Sequence, residues 1–202
     1  MSLHLAILER GHPAPKRLLI RTIERLGGVR FDDVARTLLY RPGFFGRALS
    51  RLVRGVLRGP SDWSPADREL MVAFASWLNR CPFCVGVHTG TAALGLAREV
   101  DTAMLEHWRE ADLDPRMKAA FEILEKRATD PMQLSATEAA RARAAGISDE
   151  AIMDVLYIGF TFDLINRLAN AFGFTTVDES GRRRTAAIMH RLGYRMPGFL
   201  LA

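Results

Sequence analysis

Cysteine is nearly absent from this 202-residue chain, which has only Cys81 and Cys84. Two thiols exclude a disulfide framework, and none is needed, because a chain of this length buries roughly 70% of the surface its unfolded form exposes. Lysine is almost as scarce: Lys16, Lys118 and Lys126 stand against 25 arginines, a bias that reads as a GC-rich coding sequence more than as phosphate binding. Long apolar runs are missing too. The longest stretch without formal charge, Cys81 to Ala97, has seventeen residues and holds glycine, threonine and histidine, short of the about 20 that span a bilayer. His4, Glu9 and Arg10 break the first apolar stretch before a secretory signal can form. Neither export nor a membrane anchor is expected, and the cytoplasm is the expected compartment.

What is present describes one globular domain with short extensions: 49% apolar residues and a net charge of +5. The charge is uneven, since residues 1–60 carry twelve basic and four acidic groups while residues 61–202 are net negative by three. A basic surplus invites a nucleic-acid reading. However, Arg17, Arg21 and Arg25, and then Arg47, Arg51 and Arg54, recur at helical spacing between Leu, Ile and Val, the pattern of a solvated amphipathic face. No nucleic-acid partner is expected.

Strand signals are scarce, and apolar residues recur at three and four spacing nearly throughout, so the expected fold is all-α. The periodicity predicts helices near 14–27, 31–40, 43–58, 65–79, 82–96, 100–109, 115–129, 136–145, 149–171 and 181–192. Ser64-Pro65 and Asp114-Pro115 place a capping side chain before a first-turn proline, Ser135 with Glu138 forms a capping box, and Gly146 with Ser148 closes one helix and opens the next. Gly59, Pro60, Ser61 and Asp62 make the Gly55–Ser64 stretch a candidate hinge. The expected organisation is a basic helical extension at 1–58 partly packed on a core at 59–174, then a helix and apolar tail at 175–202. The tail, Met196 to Ala202, is expected to dock on a neighbouring subunit or on the chain's own core.

Chemistry concentrates between Glu69 and His88. Pro82 suits the first position of a helix, which makes Cys81 its N-cap and puts Cys84 in the first turn. Unpaired N–H groups and the positive helix end then favour thiolate at both sulfurs. His88, four residues after Cys84, shares its face and can take and return a thiol proton. Glu69 precedes Cys81 by twelve residues, about 18 Å along one straight helix. A turn at Asn79–Pro82 would instead bring Glu69 within about 6 Å of His88 along the axis, a gap that a carboxylate and one water can bridge, so that Glu69 orients the imidazole.

Glu, Cys twelve later, Cys three after that and His four after that resembles the signature of the AhpD-like alkylhydroperoxidases within the carboxymuconolactone decarboxylase superfamily. Trp63-Ser-Pro-Ala-Asp-Arg-Glu69, Asn79, Leu113-Asp-Pro-Arg and Ile165-Asn-Arg-Leu-Ala-Asn170 are similar to its peroxidase-related branch, over roughly residues 40–174. The resemblance implies a helical bundle built on αα-hairpins with the C-x-x-C at the N-terminus of a core helix. It also implies assembly into a homo-oligomer (trimer, hexamer or dimer) and hydroperoxide reduction without haem, metal or other cofactor. By position, Cys84 would be the peroxidatic thiol, Cys81 the resolving thiol, and His88 and Glu69 the proton relay. A dithiol partner, lipoyl protein or thioredoxin-like, would reduce the disulfide formed. Phe83 stands where the best-studied type of the family has a second histidine, and is expected to shape an apolar mouth.

Other readings remain open. One is an oxidoreductase for another molecule's disulfide; another is a non-catalytic zinc-binding or interaction module, with Cys81, Cys84, His88 and Glu69 as four possible ligands. Asp163, Asn166 and Arg167 interrupt an apolar helix and are expected to hydrogen-bond between helices or subunits. His4, His12, His107 and His190 are assigned to the surface, and Met71, Phe74 and Trp77 to the core.

Overall fold

The computed structural model describes residues 3, 6–196 and 198–201, and no strand occurs among them. The helices are α1 (Ile7–Arg10), α2 (Ala14–Gly27), α3 (Asp33–Tyr40), α4 (Arg47–Arg58), α5 (Pro65–Leu78), α6 (Pro82–Leu96), α7 (Thr102–Glu106), α8 (Pro115–Thr129), α9 (Ala136–Ala144), α10 (Asp149–Phe172) and α11 (Glu179–Leu192). A π-helical turn, Pro42–Gly46, leads into α4, and 3₁₀ turns lie at Pro131–Gln133 and Gly198–Leu201. The all-α expectation holds. Among the described residues no helix is long and apolar enough to cross a membrane.

The helix starts follow the capping chemistry. Ser64 Oγ accepts the Asp67 N–H at 3.1 Å while Asp67 returns the bond to the Ser64 N–H. Asp114 caps α8 through the Arg116 N–H, and Ser148 caps α10 through Ala151. Three boundaries differ from the periodicity for local reasons. Asp32 takes the N-cap of α3, accepting from Val34 and Ala35, so that helix begins at Asp33. Asp101 caps α7, which ends at Glu106. Before α4 the chain makes the wider π turn, where a side chain at Gly46 would collide with the Leu38 carbonyl. Helix α1 was not anticipated, since four residues are too few to show a period.

The α5–α6 hairpin sits at the centre, with α8 and α10 packed on α5 and α11 on α6. Helix α5 is buried without a break from Arg68 to Ser76, as suits a helix enclosed on all sides. Phe74 stacks on Phe121 at 4.0 Å between centroids and meets Trp108 edge-on at 5.8 Å. Each such side chain contributes about 1.5–3 kcal/mol by burial. Ile20, Leu38, Leu49, Val53 and Leu57 from the basic segment enter the same core cluster.

The glycine-rich joint before α5 is fastened and does not behave as a free hinge. Buried Arg68 donates to the carbonyls of Val56 and Gly59 at 3.1 and 2.9 Å, Ser61 donates to Asp154, and the Trp63 indole donates to the Ala151 carbonyl. Within the described part of the tail, Leu200 is buried in the chain's own core and Met196 packs against it. The assignment of His12 to the surface is corrected. Its ring is buried, with Nε2 3.1 Å from the Leu8 carbonyl and Tyr40 edge-on at 5.9 Å, because α1 folds over α3. His107 and His190 are exposed, and His4 lies outside the described residues.

Candidate active site

A tight turn reverses the chain between α5 and α6. Arg80 takes a left-handed φ of 51°, the Cys81 N–H donates to the Ser76 carbonyl at 2.9 Å, and Pro82 opens α6 with Cys81 as its N-cap. Asn79 Nδ2 ties this turn to α10 by donating to Asp163 Oδ1 at 2.8 Å and Asn166 Oδ1 at 3.0 Å. Asn166 in turn donates to Ser76 Oγ at 3.1 Å, and Arg127 pairs with Asp163 at 2.5 Å. Asp163 and Asn166 therefore bond between helices, while Arg167 is exposed.

Both thiols are buried and free. They are not equally acidic, although helix position alone suggested that both would be. A hydrogen bond from Cys84, helped by the backbone N–H groups of Cys84 and Phe83, outweighs burial and holds Cys81 below the ordinary thiol range. Cys84, which gives that bond and is itself buried, is pushed well above it. The bond from Cys84 and the N–H groups of the helix end both favour charge on Cys81, while burial disfavours it on Cys84.

Glu69 and His88 meet directly, closer than a bridging water would set them: Nδ1 lies 2.6 Å from Glu69 Oε2, both side chains being buried. Burial opposes the charge of Glu69, but the His88 bond and the Arg58 guanidinium prevail and hold its carboxyl below the usual range. An ionised carboxylate only accepts. Nδ1 therefore carries the proton that faces Glu69 Oε2, and Nε2 is the ring nitrogen this pairing leaves free.

Two residues that the sequence did not single out complete this group. Arg58, at the end of α4, donates to Glu69 Oε1 at 2.5 Å. Tyr194, beyond α11, donates its hydroxyl to Glu69 Oε2 at 3.0 Å, lies nearly parallel to the imidazole at 6.4 Å, and takes the Arg58 guanidinium over its ring at 4.9 Å. Phe162 meets His88 edge-on at 4.9 Å. Arg58 continues the spacing-four arginine stripe, and that stripe gave the only sequence signal for it. Nothing local marks Tyr194.

Cys84 and His88 line an apolar cavity of about 310 Å³, enclosed by Phe83, Phe162, Ile165 and side chains from both ends of the chain such as Leu38, Leu49 and Leu192. Phe83 sits on its wall, edge-on to Phe174 at 5.4 Å. Cys81 borders a different space, an open groove between α6 and α11 rimmed by Arg80, Arg98 and Arg182. The two thiols are thus hydrogen-bonded to each other while their residues line different spaces.

The zinc alternative finds no support. Among the described residues no three His, Cys, Asp or Glu side chains are grouped to hold a metal ion. Both oxygens of Glu69 are already taken, one by Arg58 and the other by His88 and Tyr194.

Residues 45–126 match the carboxymuconolactone decarboxylase family. No curated protein sequence matches the chain. Among solved structures it is similar to an alkylhydroperoxidase AhpD core, a peroxidase-related protein of Ralstonia eutropha JMP134. That alignment has a TM-score of 0.72 at 24% identity and covers 86% of this chain and 92% of that one. A peroxidase-related protein of Silicibacter sp. TM1040 superposes with a TM-score of 0.73 at 18% identity, covering 90% and 95%. The apo debrominase Bmp8 does so at 0.63 and 15%, covering 88% and 93%.

Proposed function

We propose that this protein, whose 45–126 segment belongs to the carboxymuconolactone decarboxylase family and whose fold is AhpD-like, is a thiol-dependent reductase of organic hydroperoxides. The observation that carries this is the buried Glu69–His88 pair at 2.6 Å, one helical turn from Cys84, with Cys84 and His88 both lining the apolar cavity. Burial and the bond to Cys81 hold the proton on the resting Cys84, so His88 Nε2 takes it as the hydroperoxide is attacked, and the Cys84 sulfur bonds to the terminal oxygen. The O–O bond breaks, the alkoxide leaves with the electron pair, and His88 returns the proton to it. Cys84 is now a sulfenic acid. The Cys81 thiolate attacks its sulfur, hydroxide leaves and takes a proton from solvent to become water, and a disulfide remains. An external dithiol, lipoyl or thioredoxin-like, supplies two electrons and two protons to reopen it, entering from the groove that Cys81 borders.

A cytoplasmic setting fits two unpaired thiols. Assembly into a homo-oligomer fits the exposed stripe of Met153, Tyr157, Phe160 and Leu164 on α10, where Phe160 is 64% exposed. A second reading is favoured by the acidity of Cys81 and its place on the outer groove: that thiol would first attack a disulfide of another molecule.

The test follows consumption of tert-butyl hydroperoxide with dihydrolipoamide as reductant. Wild type is expected to turn over. Cys84→Ser should be inactive, and Cys81→Ser should stop after about one equivalent with a sulfenic acid trapped on Cys84, read by mass spectrometry. Turnover by Cys84→Ser refutes the scheme, and faster reduction of a protein disulfide than of the peroxide selects the second reading.

A further inference from the structure

The proton relay proposed for Glu69 and His88 draws on a group from the far end of the chain. Tyr194 lies beyond the family-matched segment, 125 residues from Glu69, yet it shares with His88 the single oxygen Oε2. Its backbone shows what holds it there. Gly193 ends α11 at φ 58° and Tyr194 follows at φ 63°. A left-handed conformation is ordinary for the glycine and uncommon for an aromatic residue, and surroundings that hold one there cluster at functional sites. The side chain gains in return a cation–π contact with Arg58, a face parallel to His88, and a hydrogen bond to the carboxylate.

Resting on the proposed relay, we infer that Tyr194 is a positioning residue: by donating to Glu69 Oε2 it fixes the oxygen that orients His88 and weakens that oxygen's hold on an imidazolium. The chemistry follows from sharing. A carboxylate oxygen that already accepts an O–H bond is a poorer acceptor for the charged Nδ1–H, so the ring gives up its second proton more readily and Nε2 stays available as a base. Tyr194 itself remains a donor, because burial and the charge of Glu69 push its hydroxyl well above the usual range. Of the other titratable and charged groups around the ring, Arg58 from α4 pairs with Glu69 Oε1, Asp32 at the start of α3 acts on His88 through space, and Cys84, Arg30 and Arg195 line the same cavity. None of these donates to Oε2 among the described contacts.

Tyr194→Phe removes the hydroxyl and keeps the ring, so packing, the stacking on His88 and the Arg58 contact all stay. Two readouts then apply to the full-length protein. In nitrogen-15 spectra the His88 Nδ1–H proton should move downfield, its bond to the freed oxygen having shortened. In the pH profile of kcat/KM with tert-butyl hydroperoxide, the acid limb should move up by about half a pH unit to one unit, a three- to tenfold loss on that limb. A purely structural tyrosine moves neither. Tyr194→Gly, which suits the left-handed backbone, should reproduce the shifted limb if it folds. An unchanged Nδ1–H resonance and an unchanged acid limb in Tyr194→Phe overturn the inference. If wild type proves inactive toward peroxide, the relay reading fails on its own, and the Nδ1–H comparison still decides what Tyr194 does.

Discussion

Glu69→Gln tests the buried charge cluster on which the site depends. Glu69 is 1% exposed, and its oxygens separately serve Arg58 at 2.5 Å and His88 at 2.6 Å with Tyr194 at 3.0 Å. A glutamine keeps the shape but offers one acceptor and one N–H₂ donor, so one of the two sides meets donor against donor. If the carbonyl turns to Arg58, His88 and Tyr194 lose their acceptor; if it turns to His88, a guanidinium only 14% exposed is left facing an amide. Breaking a buried ion pair by removing one partner costs about 3–5 kcal/mol. In a chain of this size each kcal/mol moves Tm by about 2–4 °C, so a fall of roughly 6–20 °C at pH 7 is expected. The pH dependence sharpens the test. The folded-state pKa of Glu69 is depressed, so its contribution is fully present above the unfolded value near about 4.3 and is lost as pH falls through the folded value. The gap between wild type and Glu69→Gln, measured by urea unfolding from pH 7 downward, should hold steady to about pH 5 and then close. A variant within about 1 kcal/mol of wild type at pH 7, or a gap that never closes in acid, would refute the reasoning.

Two further outcomes concern the scaffold. Gly46→Ala puts a methyl group against the Leu38 backbone carbonyl, which cannot swing away, and should cost about 1–3 kcal/mol by urea titration; an unaffected midpoint would mean the π turn relaxes freely. Burial depresses the pKa of His12, with the positive charges of Arg36, Lys16 and Arg17 adding to it against the Leu8 carbonyl. The neutral ring therefore contributes stability above its unfolded value near 6.5 and loses it as pH falls. Wild type should drop more in Tm between pH 7.5 and 5 than His12→Gln does, and parallel curves would contradict this.

The parts legible in the sequence are those governed by short range. Ser64, Asp114 and Ser148 announce their helices because a cap acts over three residues, and the Cys81–His88 cluster is readable because four residues on a helix make one turn. The direct Glu69–His88 contact needed the depth of the α5–α6 turn, which depends on Arg80 accepting a left-handed φ and on Asn79 reaching α10. That reach spans 84 residues and leaves no periodic trace. The unequal acidity of the thiols leaves no trace in the sequence for a similar reason: helix position treats both alike, and only their mutual hydrogen bond separates them. The burial of His12 is not legible because α1, with four residues, is too short to show which side it buries.

Arg58 and Tyr194 reveal a more general property of the site. A buried carboxylate needs its charge balanced, and a buried imidazole needs its proton directed. The hairpin that carries the cysteines offers Glu69 and His88 to each other, yet leaves Glu69 Oε1 unanswered and Oε2 bound to one partner. The missing cation comes from the end of the arginine-rich α4, and the missing donor from the loop after α11. A basic segment and the loop after α11 therefore complete the partners of Glu69 at the centre of the fold, and apolar residues from both wall the cavity that Cys84 lines. The placement of Glu69 and His88 is therefore a property of the packing of α4 and of the segment after α11, and not of the α5–α6 hairpin alone.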